Sequence, residues 1–239
     1  MTDKFNKLVE GLRKFMRSAG KTRAVLGLSG GVDSALVAKI AVEALGKENV
    51  TALNLPNLGL SSPEHMKDAE EWAKALGIQY ITVPINPFFE VYGKLQWKPS
   101  VIAGMNINCR IRMSLLYHFA NSHDAVVLGT GNKSELSLGY FTKYGDGACD
   151  VEVIGSLYKT DVWKMSKAVG VPQKIYSKIP SAELAPGQTD EGEMGFSYRE
   201  ADEIMRAMER GETPTGKVAD KIRGMMKTNR HKSALPPTL

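Results

Sequence analysis

The sequence predicts an α/β protein with a doubly wound, mainly parallel sheet flanked by helices. Short apolar runs alternate with segments of helical length, which is the pattern of βαβ units in a parallel sheet. A glycine-rich turn joins the first apolar run to the helix behind it, where such sheets bind ligands. The length of 239 residues suits one large domain, since domains hold roughly 100–200 residues. We therefore expect a single domain over 1–239 with a helical C-terminal extension.

The first elements follow from the positions of apolar residues. Between Phe5 and Met16 these residues recur at intervals of three and four, which predicts one apolar helix face, and Gly20 ends the helix. The short apolar run 24–28 predicts the first strand. Residues 33–45 follow the glycine-rich turn and predict the second helix.

The next elements are marked by their boundary residues. The run 50–55 predicts a second strand. Ser62 is a suitable cap for the following helix, Pro63 fits its first turn, and Gly77 is a suitable stop. The run 78–83 then predicts a third strand.

The rest of the chain alternates between helices and long polar segments. The predicted elements are helices at 100–121, 159–169, 198–209 and 215–228, and a fourth strand at 124–130. The intervals 131–158 and 180–196 are rich in glycine, proline and polar residues and are predicted to be loops. Since no repeat or linker divides the chain, these elements are expected to share one domain.

Charge and composition exclude several classes of protein. The chain has 31 Lys and Arg against 26 Asp and Glu, with basic ends at 1–23 and 217–232 around an acidic middle. A nucleic-acid-binding protein would present a broader basic surface. No apolar run approaches the roughly 18–20 residues that cross a bilayer. Cys109 and Cys149 are too few for a disulfide framework. We expect a cytoplasmic protein that binds neither nucleic acid nor a membrane.

The first motif is the glycine-rich turn, Ser29-Gly30-Gly31-Val32-Asp33-Ser34. Glycines allow the backbone to approach a phosphate, the serine hydroxyls can donate to it, and the helix N-terminus attracts an anion. Asp33 beside a phosphate suggests Mg²⁺ between the two negative groups. The Walker and G-x-G-x-x-G phosphate motifs are both absent. The alternative is a turn that merely connects a strand to a helix.

The second motif lies at 128–150, after the fourth predicted strand. Glu135 stands at the start of a short helix, where it offers a second carboxylate for a metal ion. The segment 141–147, Phe-Thr-Lys-Tyr-Gly-Asp-Gly, mixes aromatic and charged residues with glycines, which suits ligand contact better than a core. A solvated connection is the alternative, although two exposed aromatic residues would be unusual there.

These motifs resemble a known enzyme family. The sequence SGGVDS resembles the pyrophosphate loop of the N-type ATP pyrophosphatases, and the segment FTKYGDG resembles the NAD synthetases within that group. Further similarity lies at 105–110, 157–160, 180–184 and 231–232. The resemblance implies an adenine nucleotide alpha hydrolase-like fold. It also implies a ligase that amidates nicotinic acid adenine dinucleotide (deamido-NAD) through an adenylated intermediate, and releases AMP and pyrophosphate.

The resemblance also implies roles for individual residues. ATP, the co-substrate, would contact Ser29, Gly30, Gly31, Asp33, Ser34, Thr130 and Lys159. Mg²⁺ would be ligated by Asp33 and Glu135. Deamido-NAD would contact Asn106, Arg110, Lys143, Asp146, His231 and Lys232. Lys159 would stabilise phosphate charge, and Asp146 would bind or deprotonate ammonium.

Two positions of the sequence qualify this comparison. Arg112, two residues after Arg110, is expected to be a charge on the helix surface. Ser233 stands where the family's closing segment usually has arginine, which leaves the role of that position open.

The length bears on the source of ammonia. Glutamine-dependent NAD synthetases carry an amidase domain roughly as large as this chain, so we expect an ammonia-dependent enzyme without a glutaminase domain. The resemblance also implies a homodimer formed near the helix 100–121. One alternative is another SGGxDS-type pyrophosphatase, such as an adenylating tRNA-modifying enzyme or amidotransferase. The other is a non-catalytic nucleotide-binding module, which would not need Asp33, Glu135, Asp146 and Lys159 together.

Overall fold

The computed structural model describes residues 1–238, and these contain one five-stranded sheet between layers of helices. The strands are β1 Arg23–Gly27, β2 Val50–Asn54, β3 Gln79–Thr82, β4 Ala125–Gly129 and β5 Val151–Glu152. Their order is β3-β2-β1-β4-β5, and every pair is parallel. The predicted doubly wound parallel α/β fold is confirmed.

Eleven α-helices lie within the described residues 1–238. They are α1 Thr2–Ser18, α2 Val32–Leu45, α3 Pro63–Leu76, α4 Asn86–Tyr92, α5 Val101–His123, α6 Lys133–Leu138, α7 Lys159–Ala168, α8 Gln173–Tyr176, α9 Asp190–Met194, α10 Tyr198–Glu209 and α11 Lys217–Asn229. Among residues 1–238, no helix combines the length and the apolar composition needed to cross a bilayer.

The central strand β1 shows why both faces of the sheet are covered. Leu26 is fully buried in the cluster that includes α1, α2, α3 and α7. Its neighbour Val25 points the other way, into a second cluster that includes α5. Because successive side chains of a strand alternate between faces, a strand this apolar requires helices on both sides. The sheet is therefore the middle of three layers, and its carboxyl edge remains open for a site.

A third apolar cluster joins the C-terminal helices to the end of β4. Leu138 of α6, Tyr198 of α10 and Ile222 of α11 are all completely buried in it. Since α11 packs against α6, the C-terminal chain returns to the carboxyl edge of the sheet. The predicted helical C-terminal extension thus covers one side of that edge.

Several short elements differ from the sequence prediction. The interval 131–158, predicted as a loop with a short helix at Glu135, also contains the two-residue strand β5. The predicted loop 180–196 contains α9, and helices α4 and α8 were not predicted. These elements have two to seven residues, which is too short to establish a periodic apolar pattern.

Candidate active site

A cavity of about 560 Å³ lies at the carboxyl edge of the sheet. The segments that follow three parallel strands meet there, represented by Ser29 after β1, Leu55 after β2 and Thr130 after β4. Parallel strands end at the same edge, so motifs that are distant in sequence converge in space. The cavity is the principal candidate for the active site.

The glycine-rich turn forms a compact loop at the start of α2. The Ser29 and Ser34 hydroxyl oxygens lie 3.2 Å apart, and the Gly31 amide donates to Ser29 Oγ over 3.3 Å. Gly30 has a φ of +83°, and a Cβ atom there would lie 2.1 Å from the carbonyl oxygen of His65. Gly31 caps α2 without any side-chain hydrogen bond, so the first turn of the helix presents its N–H groups to the cavity. This geometry suits a phosphate.

Three predicted residues meet beside this loop. The Lys159 ammonium lies 2.5 Å from Asp33 Oδ2 and 3.3 Å from Glu135 Oε1. Its side chain is only 3% exposed. Asn132 donates to Asp33 Oδ1 over 3.0 Å and also caps α6 in a reciprocal pair with Glu135. The starts of α2, α6 and α7 therefore place one lysine between two carboxylates.

The surroundings keep this lysine charged. Burial alone would lower the pKa of Lys159, but Asp33 and Glu135 outweigh it and hold the pKa above its ordinary value. Burial raises the pKa of Glu135, with Lys159 opposing the rise and Asp33 adding to it. The ammonium is thus a fixed positive charge next to the glycine-rich turn.

A third carboxylate, Asp190 of α9, belongs to the same cluster. It is 6% exposed, and the Tyr198 hydroxyl donates to its Oδ2 over 2.9 Å. Its other oxygen, Oδ1, is buried without a hydrogen-bond partner among the described residues. Burial raises the pKa of Asp190, while Lys159 lowers it. Three carboxylates of this cluster therefore share a single ammonium group, that of Lys159.

The excess of negative charge in this cluster bears on metal binding. Within residues 1–238, no group of three or more His, Cys, Asp or Glu side chains is arranged to hold a metal ion by itself. The carboxylate oxygens of Asp33 and Glu135 are hard donors of the type that Mg²⁺ prefers. These two carboxylates would supply part of a Mg²⁺ coordination shell, and phosphate and water would supply the rest.

The residues predicted to contact a dinucleotide come together around the loop 139–147. Thr142 donates from its hydroxyl to Asn106 Oδ1 over 2.8 Å and from its amide to Asp146 Oδ1 over 2.9 Å. Lys232 donates to the carbonyl oxygens of Gly139 and Phe141 over 2.7 and 3.0 Å. Asn106, Asp146 and Lys232 line the cavity.

Three others of that group lie outside the cavity wall. Lys143 donates to the carbonyl oxygen of His231 over 2.6 Å, and Arg110 makes a long contact of 3.4 Å with the carbonyl oxygen of Lys143. These three residues border the site without lining it. The segment 139–147, α5 and the C-terminal turn are nevertheless brought together.

Arg112 corrects one prediction. It was expected on the helix surface, but it lines the cavity and donates from Nε to the carbonyl oxygen of Leu55 over 2.9 Å. Burial lowers the pKa of its guanidinium. Helix periodicity could have revealed this, because Met105, Cys109 and Leu116 of α5 line the same cavity at helical spacing from it.

A second cation, Lys178, was missed altogether. Its ammonium lies 3.2 Å from the carbonyl oxygen of Gly30 and 2.6 Å from Asp68 Oδ2. Asp68 also pairs with Lys174 at 2.6 Å, but Lys174 does not line the cavity, whereas Lys178 does. No local motif surrounds these residues, so only the tertiary fold identifies Lys178 as a neighbour of the glycine-rich turn.

Comparison with known proteins agrees with this geometry. The NAD synthase family matches residues 4–236 of the chain. The NH(3)-dependent NAD(+) synthetase of Archaeoglobus fulgidus is 48% identical over 237 residues, which cover 98% of this chain and 96% of that relative.

Two solved structures share the fold over nearly the whole chain. The NMN synthetase of Francisella tularensis has a TM-score of 0.92 and 36% identity, covering 100% of this chain and 98% of that one. The NH3-dependent NAD synthetase of Campylobacter jejuni has a TM-score of 0.85 and 32% identity, covering 98% of this chain and 97% of that one. Together with the sequence match over 4–236, these similarities establish that the chain belongs to the NAD synthase family.

Proposed function

We propose that this chain is an ammonia-dependent NAD⁺ synthetase, which amidates deamido-NAD and converts ATP to AMP and pyrophosphate. The observation that carries the proposal is the buried contact of Lys159 with both Asp33 and Glu135 beside the glycine-rich turn. A passive nucleotide-binding module would not need this cluster. Family membership and the names of the relatives support the same reaction.

The first half-reaction joins two anions. The nicotinate carboxylate attacks the α-phosphorus of ATP, and pyrophosphate leaves. Ser29, Gly30, Gly31, Asp33 and Ser34 form the turn that would hold the phosphates, with Thr130 at the end of β4. Lys159 neutralises charge that grows on the phosphoryl oxygens, and because it is already fixed, it needs no reorganisation. Mg²⁺, held by Asp33 and Glu135, would supply further stabilisation of phosphate charge.

The second half-reaction replaces AMP by ammonia. Ammonia attacks the adenylated carbonyl carbon, and AMP leaves with the electron pair of the C–O bond. The nicotinate end would lie near Asp146, which can bind or deprotonate ammonium. The rest of the dinucleotide would contact Asn106, Arg110, Lys143, His231 and Lys232.

A second candidate substrate comes from one neighbour. The Francisella tularensis structure is called an NMN synthetase, so nicotinic acid mononucleotide is the alternative acceptor for the same amidation. The two acceptors share the nicotinate carboxylate and the chemistry at Lys159, and they differ only in the adenylate half.

The assay for the function uses purified full-length chain with ATP and Mg²⁺. Each acceptor, deamido-NAD or nicotinic acid mononucleotide, is supplied with either ammonium or glutamine. We expect NAD⁺ and AMP from deamido-NAD with ammonium, and no amide from glutamine. Preference for the mononucleotide would select the alternative, and ADP as the product would contradict both. Turnover with glutamine would contradict a single synthetase domain over 1–239 without glutaminase.

We also propose that the chain forms a homodimer, with its interface at α4 and the start of α5. Large apolar side chains are exposed there: Val91 by 61%, Trp97 by 65%, Val101 by 78% and Ile102 by 68%. Contiguous exposed apolar groups mark interaction surfaces. Sedimentation should give twice the chain mass of 26.1 kDa, and Trp97→Ser with Ile102→Ser should give the monomer. A monomeric wild-type chain at micromolar concentration would contradict this assembly.

A cytoplasmic location is proposed as well, because Cys109 and Cys149 are unpaired.

A further inference from the structure

Glu152, the last residue of β5, is a partly buried carboxylate with no role in the mechanism above. It lines the active-site cavity, and its Oε2 accepts a hydrogen bond of 3.0 Å from the Gly131 amide. The nearby carboxylates Asp33 and Glu135 share Lys159. Glu152, in contrast, has no cationic side chain among residues 1–238 that lowers its pKa. A buried carboxylate without a cation is costly unless a ligand supplies one.

The end of β4 is shaped to admit this carboxylate. A Cβ atom on Gly129 would lie 2.3 Å from Glu152 Oε2, and one on Gly131 would lie 3.1 Å from Oε1. The two glycines flank Thr130, which is a proposed ATP contact. The carboxylate therefore lies against the backbone on both sides of a proposed ATP contact.

The charges of the cavity indicate which substrate this group fits. Arg112, Lys178 and Lys232 line the cavity and suit the phosphates of ATP and of the dinucleotide. The third substrate of the proposed reaction arrives as ammonium, a cation that these groups would repel. Asp146 also lines the cavity, but it is exposed, and its Oδ1 accepts the Thr142 amide. Glu152 is the more deeply placed of the two acids.

We propose that Glu152 is a further catalytic residue that binds the ammonium ion and accepts its first proton. This inference rests on the proposed function. The carboxylate takes one proton from ammonium, and the freed nitrogen lone pair forms the C–N bond to the adenylated carbonyl carbon. As the tetrahedral adduct collapses, the C–O bond breaks and AMP leaves with its electron pair. A second N–H proton passes to Asp146, the acid already placed near the nicotinate end.

The environment of Glu152 supports a proton acceptor. Burial raises the pKa of this carboxyl, while hydrogen bonds from the Cys149 thiol and the Gly131 amide oppose the rise, and Asp146 adds to it. A carboxylate with a raised pKa is better matched to proton transfer near neutral pH than an ordinary one.

The test compares two nucleophiles in the holoenzyme with ATP, Mg²⁺ and deamido-NAD. Hydroxylamine is largely neutral near pH 7.5 and captures acyl adenylates as hydroxamates, so it needs neither a cation site nor a base. For Glu152→Gln, we expect kcat/KM for ammonium to fall on the order of 100-fold. The value for hydroxylamine, measured by AMP release, should stay within about twofold. The control Glu209→Gln removes an exposed surface carboxylate paired with Lys133 and should change neither value.

Equal loss with both nucleophiles, or no loss with ammonium, would overturn the assignment. If Glu152→Gln does not fold, Glu152→Asp decides in its place, because it keeps the charge but withdraws it by one methylene. Glu152→Asp must show the same selective loss of kcat/KM with ammonium. Equal changes in kcat/KM for the two nucleophiles would overturn the proposal. Failure of the proposed function is distinguishable, since the wild type would then release no AMP with either nucleophile.

Discussion

Two halves of the cavity are built in different ways. The phosphate half consists of the turn 29–34, the start of α6 and Lys159, and its side chains contact one another directly in a buried cluster. The dinucleotide half consists of 105–112 on α5, the loop 139–147 and the turn 230–232. Its cations mostly contact backbone carbonyl oxygens near the surface, as Lys232 does with Gly139 and Phe141.

Under the proposed function, this difference is expected to separate the chemistry from the specificity. Direct side-chain contacts hold the phosphate half together, and such preorganised charge is what stabilisation of a transition state requires. In the dinucleotide half, a substrate phosphate can replace the carbonyl oxygens as the partner of the cations. We therefore expect substitutions in the phosphate half to reduce kcat, and those in the dinucleotide half to raise KM for the acceptor.

The largest effect is expected for Lys159→Met. This change removes the fixed charge at the phosphoryl group and leaves Asp33 and Glu135 without their cation. We expect kcat to fall by about 10²–10³, as when a preorganised charge or donor is removed. Steady-state kinetics measure kcat, and thermal unfolding checks that the variant is folded. Lys164→Met, at an exposed position on α7, is the control. An unchanged kcat would contradict the role of the phosphate half.

Gly30→Ala tests the shape of the phosphate-binding turn. Gly30 and Gly170 both have φ of +83°, but only at Gly30 would a Cβ atom meet backbone, 2.1 Å from the His65 carbonyl oxygen. Both variants carry the cost of a left-handed alanine, and Gly30→Ala adds overpacking of about 1–3 kcal/mol. We expect Gly30→Ala to be the less stable in denaturant unfolding and to bind ATP more weakly. Equal unfolding and equal ATP binding in both variants would show that the close approach has no consequence.

Lys178→Met tests whether Lys178 contributes to ATP binding, with Lys174→Met as the matched control. Lys178 and Lys174 both pair with Asp68, but only Lys178 reaches the carbonyl oxygen of Gly30 in the cavity. Loss of a charged hydrogen bond of about 1.5–3 kcal/mol should raise KM for ATP by roughly 10–100-fold. Lys174→Met should leave that KM unchanged. Equal effects of the two variants would show that Lys178 acts only through its ion pair with Asp68 and not as a cation of the cavity.

The smallest effect is expected for Lys232→Met in the dinucleotide half. This lysine is half-buried, and burial lowers the pKa of its ammonium. An exposed or partly exposed charge pair contributes about 0.2–1 kcal/mol. We therefore expect KM for deamido-NAD to rise a few-fold, with KM for ATP unchanged. A comparable rise in both constants would show that the two halves are not separate.

Much of the fold could be predicted from the sequence, because its signals are local. The alternation of strands and helices, the cap at Ser62 and the stop at Gly77 all agree with the structure. The turn 29–34 could be located for the same reason, since it is contiguous in the sequence. Lys159 was expected beside it only from the family resemblance. The roles of its individual residues stay predictions until the variants are measured.

The missed features depend on tertiary contacts. Lys178 lies 148 positions beyond Gly30 in the chain, and their contact requires the segment after α8 to fold over the phosphate-binding turn. Glu152 lies on a strand of two residues whose pairing with β4 has no sequence signature. Arg112 is the exception, because the helical spacing of α5 already placed it with Met105 and Cys109.

The most direct test of the account follows the oxygen atoms of the acceptor. Deamido-NAD labelled with ¹⁸O in its nicotinate carboxylate is converted with ATP and ammonium, and the products are weighed by mass spectrometry. If the carboxylate attacks the α-phosphorus at the Lys159 cluster, one ¹⁸O must appear in AMP and the other must remain in the carboxamide of NAD⁺. AMP without the label, or label in inorganic phosphate released together with ADP, would contradict adenylation at this site.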